Sequence, residues 1–304
     1  MIHMTVSVVS APPSIEKSAA PPNPALYRIR DLIYNEAGIF HPDNKLRFLE
    51  DRCGRRMKQV GVISIRDYYD CLAGARGKSE LVNLLNEITI GETYFFRNQP
   101  QMDAFRQIVL PKLLQARAAD GEPLRIWSAG CSTGEEPYTL SILLLEAPEM
   151  NARNRKFEIH ATDLNESSIE HARKAVYGEY STRKLDPAIR AKYFQPAGDC
   201  LLVSPRAQAH VRFLRLNLLD QSRMSMMKKM DVIFCCNVLI YFDRESKAQA
   251  IGQFADVLLP HGYLFIGHSE SLFGISDRFR LVHFPCATAY VKANSVGQAN
   301  RVNP

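Results

Sequence analysis

Among 304 residues, 46% hydrophobic and 23% charged, no apolar run approaches the length of a membrane-crossing helix, for which about 18 residues are needed. The opening MIHMTVSVVSAPP lacks the cationic lead-in of a secretory signal, so a cytoplasmic protein with no membrane insertion is expected. Seven cysteines, at 53, 71, 131, 200, 235, 236 and 286, include no C-x-x-C pair. Neither a zinc site nor a disulfide framework is therefore expected; the thiols should be reduced and mostly buried, and no metal is called for. The net charge of +6 is small for this length and does not by itself ask for nucleic acid. These exclusions leave an ordinary globular chain with room for one large domain and a smaller one.

The sequence then divides into rhythms. Residues 1 to 24 hold two Pro-Pro pairs, many Ala and Ser, and no apolar period, and read as a disordered tail. From Ala25 to about residue 95, ALYRIRDLIYNEAG, DNKLRFLEDRCGRRMKQVG, SIRDYYDCLAG and SELVNLLNEIT repeat apolar residues at three and four, which predicts a small all-α domain of four helices. QMDAFRQIVLPKLLQARAA supplies a connecting helix within residues 96 to 120. Strands and helices then alternate from 121 to 293. Arg125 to Ala129, KFEIHATD (156 to 163), VRFLRLNLLD (211 to 220) and DVIFCCNVLIYF (231 to 242) are strand candidates, as is YLFIG after a turn at HG. RFRLVHF and ATAYVKA look like an antiparallel pair. The helix NESSIEHARKAVYG is expected to open on a cap at Asn165 or Ser167 and close at Gly178. This alternation predicts an α/β fold with a mostly parallel sheet covered on both faces. Residues 180 to 210 break the rhythm and read as a small inserted β-subdomain, and 294 to 304 as a second tail.

One stretch is the most informative. In RIWSAGCSTGEEPYTL, residues 125 to 140, a strand breaks at Gly130, bends through small residues and enters a helix with Glu135 and Glu136 in its first turn. This is the nucleotide-binding end of an α/β sheet. A loop built for pyrophosphate relies on backbone N–H groups and the positive helix end, and carboxylates there would repel it. A ligand with a cationic end fits better, and S-adenosylmethionine carries both a sulfonium and an ammonium. The same rule places Asp163, Asn217 with Leu218, and Asn237 with Val238 beyond the carboxyl ends of the next strands. An acid ending the second strand suits ribose hydroxyls, with a helix cap as its plain alternative.

Two features lie outside that series. Thr93, Tyr94, Phe95, Phe96 and Arg97 form an aromatic and cationic cluster. Domain packing accounts for the aromatics, whereas a guanidinium among them needs an anion or a stacking face. In NKLRFLEDRCGRRMK, residues 44 to 58, six bases meet two acids. This stretch is either a solvated helix face or a docking surface for an acidic partner. His268 and Glu270 in GHSES suit a hydrogen-bonded turn at a strand end better than catalysis.

ITIGETYFFR, IWSAGCSTGEEPY, ATDLNESSIEHARKAVY, NLLD, FCCNVLIYFD and LFIGHSESL, in this order, resemble the bacterial chemotaxis receptor glutamate methyltransferases of the CheR type, from about Ala25 to Ala293. The resemblance implies an all-α N-terminal domain followed by a Rossmann-like S-adenosylmethionine-dependent methyltransferase sheet with an inserted β-subdomain. It also implies methylation of glutamate side chains on methyl-accepting chemotaxis receptors, with S-adenosyl-L-homocysteine as product. By motif, Thr93, Arg97, Glu135, Asp163, Asn217, Leu218, Asn237 and Val238 would contact the cofactor, and Arg97 and Tyr241 would lie nearest the methyl. Glu136 is the weaker of the two helix-start acids for that role. Arg52, Arg55, Arg56 and Lys58 would match the basic helix face that meets acidic receptor helices. Gly91 and Cys236 stand where the family often has Asn and Arg. The connection from Tyr193 to Asn217 is shorter than in members that grip a receptor pentapeptide, so recognition without that tether is expected; a monomer is expected as well. Two other functions stay open. A nucleic-acid methyltransferase would want an N-P-P-Y-like motif that NVLI does not supply, and a non-catalytic module would sense S-adenosylmethionine or its product.

Overall fold

The computed structural model describes residues 23 to 293 except 76, 118–120, 153 and 228. Most of the expected tails, 1 to 22 and 294 to 304, lies outside the described residues. Asn23 caps the first helix by accepting the Ala25 N–H, and Pro24 begins it. Four helices follow as the apolar spacing predicts: α1 (Pro24–Ala37), α2 (Leu46–Val60), α3 (Ile65–Ala73) and α4 (Gly77–Ile88). Glycines at positive φ, Gly38 and Gly61, end α1 and α2. The connecting helix runs through Gln99–Ala104 and Leu110–Ala116, with a π-helical turn at Phe105–Val109. Pro111, which lacks the N–H that the Gln107 carbonyl would accept, explains the wide turn just before it.

Ten strands follow: β1 (Leu124–Ala129), β2 (Phe157–Asp163), β3 (Val176–Tyr177), β4 (Phe194–Ala197), β5 (Cys200–Val203), β6 (Val211–Arg215), β7 (Met230–Cys235), β8 (Leu258–Ile266), β9 (Phe279–His283) and β10 (Thr288–Lys292). Seven make one sheet in the order β6-β2-β1-β7-β8-β10-β9, all running one way except β10, which is antiparallel to both β8 and β9. Central β7 is buried at every residue, while edge strand β6 alternates, as a two-sided cover over the middle of a sheet requires. The order reverses between β1 and β7. The crossovers diverge there and leave a crevice at the carboxyl ends of these strands. Helices α5 (Glu135–Glu146), α6 (Glu166–Lys174) and α7 (Arg244–Val257) carry the chain between strands.

Alternation along β1 and β7 splits the core. Trp127 and Ile233 face one side and share an apolar cluster with α1 to α4, whereas Ile126, Val232 and Phe234 face the other with α5. The helical bundle therefore rests on one face of the sheet through a continuous core. Trp127 meets Phe254 edge-on at 5.2 Å and donates its indole N–H to Thr162. Truncating such a ring typically costs about 3–5 kcal/mol.

Three expectations are corrected. Helix α6 ends at Lys174, with Ala175 at φ 54, not at Gly178. Val176 and Tyr177 instead become β3, because Tyr177 is drawn into the core and its hydroxyl donates to the Thr133 carbonyl at 2.6 Å. The small sheet, ordered β3-β5-β4, thus takes its first strand from upstream of 180. His261 and Gly262 form no turn: they lie within β8, where a register irregularity against β7 absorbs them and His261 bonds Asp231 at 3.1 Å.

Candidate functional site

A cavity of about 450 Å³ opens at the crevice, between the loops after β1, β2, β6 and β7, the segment after α4 and the end of α1. Thr93, Arg97, Asp163, Asn217, Leu218, Asn237, Val238 and Tyr241, all expected from the sequence, line it. Each arrives on a loop whose shape has a local cause. After β1 the chain turns at Gly130, φ 77, where a Cβ would come within 2.3 Å of Val238 Cγ2. Only glycine allows the two loops to touch there. Ser132, at φ 49, then donates its N–H to Asp163 Oδ2 at 2.8 Å, and Asn165 N–H donates to Oδ1 at 2.8 Å. Desolvation pushes the Asp163 carboxyl up, while these backbone donors pull it down. Asp163 also lines the cavity, and an ionised carboxylate has acceptor capacity beyond these two donors.

The loop after β7 is held from below. Glu270 accepts the N–H groups of Gly267 at 2.6 Å, Asn237 at 3.0 Å and Ile240 at 3.1 Å, so GHSES is a structural clamp. It fixes Asn237 at φ 62 and presents Tyr241, whose hydroxyl donates to the Ile90 carbonyl at 3.3 Å. The helical bundle closes the rim. Phe40 N–H donates to Tyr241 O at 2.9 Å, Tyr34 donates to Asp243 at 2.9 Å, and Asn217 Nδ2 donates to Glu36 O at 2.7 Å. Asn217 Oδ1 also accepts the Leu219 N–H, so its amide braces the rim.

Glu135 does not line the cavity. It is 1% exposed and accepts the hydroxyls of Thr133 at 2.7 Å and Ser181 at 2.8 Å, tying α5 to the insertion. Glu136 takes the place expected of it. Helical spacing explains the exchange: Glu135 and Tyr138 face the insertion, Glu136 and Thr139 the cavity. The same spacing holds for 135 with 138 and for 136 with 139, so the sequence carried no signal for which pair faces the cavity. Burial pushes Glu136 up to about 7, against the opposing Ser128 hydroxyl at 2.7 Å, the Cys236 thiol and the Arg97 charge. Ser132 is a further residue the sequence did not single out. Its hydroxyl donates to Gly91 O at 3.0 Å and fills the space where a Cβ at Gly91 would stand, 2.7 Å away. Cys236 donates to Gln101 Oε1 at 3.5 Å, and burial keeps its thiol neutral.

Of the basic residues on α2, Arg56 is not a surface group. It makes a two-point pair with Glu80, at 2.9 and 2.7 Å, inside the bundle. Arg52 and Arg55 share Glu87 at 3.1 and 3.0 Å, with the Arg55 side chain 60% exposed, and Lys58 faces solvent.

The cavity is lined by two carboxylates, Asp163 at a strand end and Glu136 at a helix start, a setting suited to a ligand with hydroxyls and a cationic end. Residues 91–288 match the CheR methyltransferase SAM binding domain, and residues 24–89 the CheR methyltransferase all-alpha domain. The chain belongs to the CheR methyltransferase family. It is 36% identical to the chemotaxis protein methyltransferase of Borreliella burgdorferi over 82% of this chain and 88% of that one. It is also 36% identical to chemotaxis protein methyltransferase 2 of Vibrio cholerae (87% and 91% covered) and methyltransferase 1 of Pseudomonas aeruginosa (87% and 96%). The fold is the Rossmann-like sheet of this family behind its all-α domain, and the cofactor is S-adenosylmethionine. No group of His, Cys, Asp and Glu suited to a metal occurs, and no helix is long and apolar enough to cross a membrane, among the described residues.

Proposed function

We propose that this CheR-family chain methylates glutamate side chains on the cytoplasmic helical region of chemotaxis receptors, acting as a cytoplasmic monomer. The carrying observation is the division of charge in one cavity: Asp163 and Glu136 line it together with Arg97 and Tyr241. The acids suit a cationic cofactor; the guanidinium and phenol suit an acidic acceptor.

When bound, the cofactor supplies a methyl group made electrophilic by a positively charged sulfur. The acceptor needs no general base, because a glutamate with a pKa of about 4.3 is already ionised at neutral pH. The protein's work is placement and exclusion of water. Asp163 takes the ribose hydroxyls and Glu136 faces the cationic tail. Leu218 and Val238 supply apolar walls, while Thr93, Asn217 and Asn237 complete the lining. Arg97 holds the acceptor carboxylate by charge-assisted hydrogen bonds. Burial raises the Tyr241 phenol, which stays protonated as a donor at neutral pH.

On α2, Arg55 and Lys58 project outward toward acidic receptor helices, with Arg52 behind them; Arg56 belongs to the bundle. Recognition proceeds without a receptor C-terminal pentapeptide; the support for this is the short connection from Tyr193 to Asn217, in which β4 and β5 are joined by a tight turn at Gly198. The test is incubation with methyl-labelled cofactor and receptor cytoplasmic fragments. Base-labile label on receptor glutamate is expected. Label on nucleic acid, or binding without transfer, would reject the reading, and tight calorimetric binding of a receptor-tail peptide would reject the pentapeptide-independent mode.

A further inference from the structure

The segment from Glu92 to Arg97, which carries Arg97 to the cavity, is gripped from outside the site by the insertion. Phe95 N–H donates to Ser181 O at 3.0 Å, and the fully buried Phe95 ring meets Tyr177 and Phe194 edge-on, each at 5.0 Å. The Tyr180 hydroxyl donates to Glu92 Oε1 at 2.8 Å. The Arg183 guanidinium carbon lies 3.8 Å from the Tyr94 ring centre and 3.7 Å from that of Tyr180, so one cation is clamped between a ring of each segment. Arg183 also donates to the Tyr180 carbonyl, which fixes the plane of the clamp.

Arg97 leans on the same two residues. It donates to Glu92 O at 2.5 Å and lies 6.0 Å from the Tyr94 ring centre. Between them, Phe96 sits at φ 58, a conformation that a non-glycine residue keeps only where its surroundings over-determine it. The insertion and the Thr139 hydroxyl, which accepts Phe96 N–H at 3.2 Å, provide those surroundings.

We infer that Arg183 is a positioning residue for methyl transfer: clamped between Tyr180 and Tyr94, it fixes the 92–97 segment so that the Arg97 guanidinium stays in the cavity. A planar guanidinium fills the slot between two rings; an ammonium does not. The inserted subdomain thereby acts as a brace for the acceptor end of the site. This rests on the reading of Arg97 as the anchor of the acceptor carboxylate.

Two measurements test it. Arg183→Ala should lower kcat for receptor methylation about 10-fold through displacement of Arg97. In an Arg97→Lys background, Arg183→Ala should slow the reaction no further, because both changes act through one group. A second measurement needs no acceptor. Titration of Glu136 in the free protein, followed by carboxyl-carbon NMR, should shift upward in Arg183→Ala as the Arg97 charge leaves. Unchanged kcat in an active protein, multiplying effects in the double variant, or an unmoved Glu136 titration would each overturn the brace. Failure of the unaltered protein to label receptor glutamate would instead refute the functional reading, while the Glu136 titration would still decide the role of Arg183.

Discussion

Glu80 in the helical bundle and Glu136 on the cavity wall meet the same penalty and resolve it in opposite directions. Burial raises both carboxyl groups. Around Glu80, the two-point pair with Arg56, the Tyr68 hydroxyl at 2.8 Å and Asn83 at 3.2 Å outweigh burial and hold it below the usual carboxylate range. Around Glu136, one serine hydroxyl, one thiol and a more distant Arg97 do not, and it stays up at about 7. The first cluster is complete and fastens α2, α3 and α4 together. The second lacks donors in a space large enough for a ligand, and a desolvated acid short of donors is a socket for a cation. The number of donors, not the presence of charge, separates scaffold from site.

The largest expected effect breaks the complete cluster. Arg56→Ala leaves Glu80 buried without its charged partner, with only the Tyr68 hydroxyl and the Asn83 amide as donors, and should reduce unfolding free energy by about 3 kcal/mol, measured by urea unfolding, with methyl transfer per folded molecule retained. A loss below about 1 kcal/mol would place Arg56 among ordinary surface bases. Next, Arg97→Ala should lower methyl transfer about 100-fold by removing charged donors to the acceptor, with unfolding free energy within about 0.5 kcal/mol of the unaltered protein. Retained turnover would remove Arg97 from the acceptor side.

A smaller effect concerns pH, and its sign differs between the clusters. Glu136 has a raised folded-state pKa of about 7. The folded protein therefore holds that proton more tightly than the unfolded chain, and stability falls as pH rises from the ordinary carboxyl value toward 7. Glu136→Gln should stabilise the cofactor-free protein by about 1–3 kcal/mol at pH 8 and leave it unchanged near pH 4. Cofactor binding, measured by calorimetry, should tighten through pH 7 in the unaltered protein and be weak and flat in the variant. Glu80, with its depressed pKa, contributes the opposite slope: its stabilisation is present above the ordinary carboxyl value and is lost as pH falls through the folded-state value. Equal pH slopes in Glu136→Gln and the unaltered protein would dissolve the distinction.

The helices, the parallel sheet and most of the cavity lining were legible because they rest on local period and on loops at strand ends. Apolar spacing gave α1 to α4, and the small-residue break after Ala129 gave the crevice. Three things were not legible. The roles of Glu135 and Glu136 depend on how α5 rotates against an insertion 46 residues away, where Ser181 takes up the first acid. The role of Arg56 depends on Glu80, whose burial no local pattern announces. The end of α6 at Ala175 was masked by its helix-compatible continuation, since Tyr177 is pulled out by the tertiary partner Thr133. In each case a long-range polar contact overrode a local preference.

The finest distinction falls on Tyr241. Its ring packs against the core cluster that joins bundle and sheet, as a scaffold residue would, while its hydroxyl lies at the cavity with only a 3.3 Å bond to the Ile90 carbonyl. Burial raises its pKa and the Arg97 charge works against that rise, so the phenol remains a neutral donor beside a cation. Tyr241→Phe keeps the ring and deletes one donor from the cluster already short of them. A net hydrogen bond of about 1 kcal/mol corresponds to a kcat loss of about five-fold, with little change in unfolding free energy. Steady-state methylation, together with product-analogue binding, separates the two faces of this residue. A loss of stability without a loss of kcat would assign Tyr241 to the scaffold, and Arg97 would then be the sole donor that the site turns toward its acceptor.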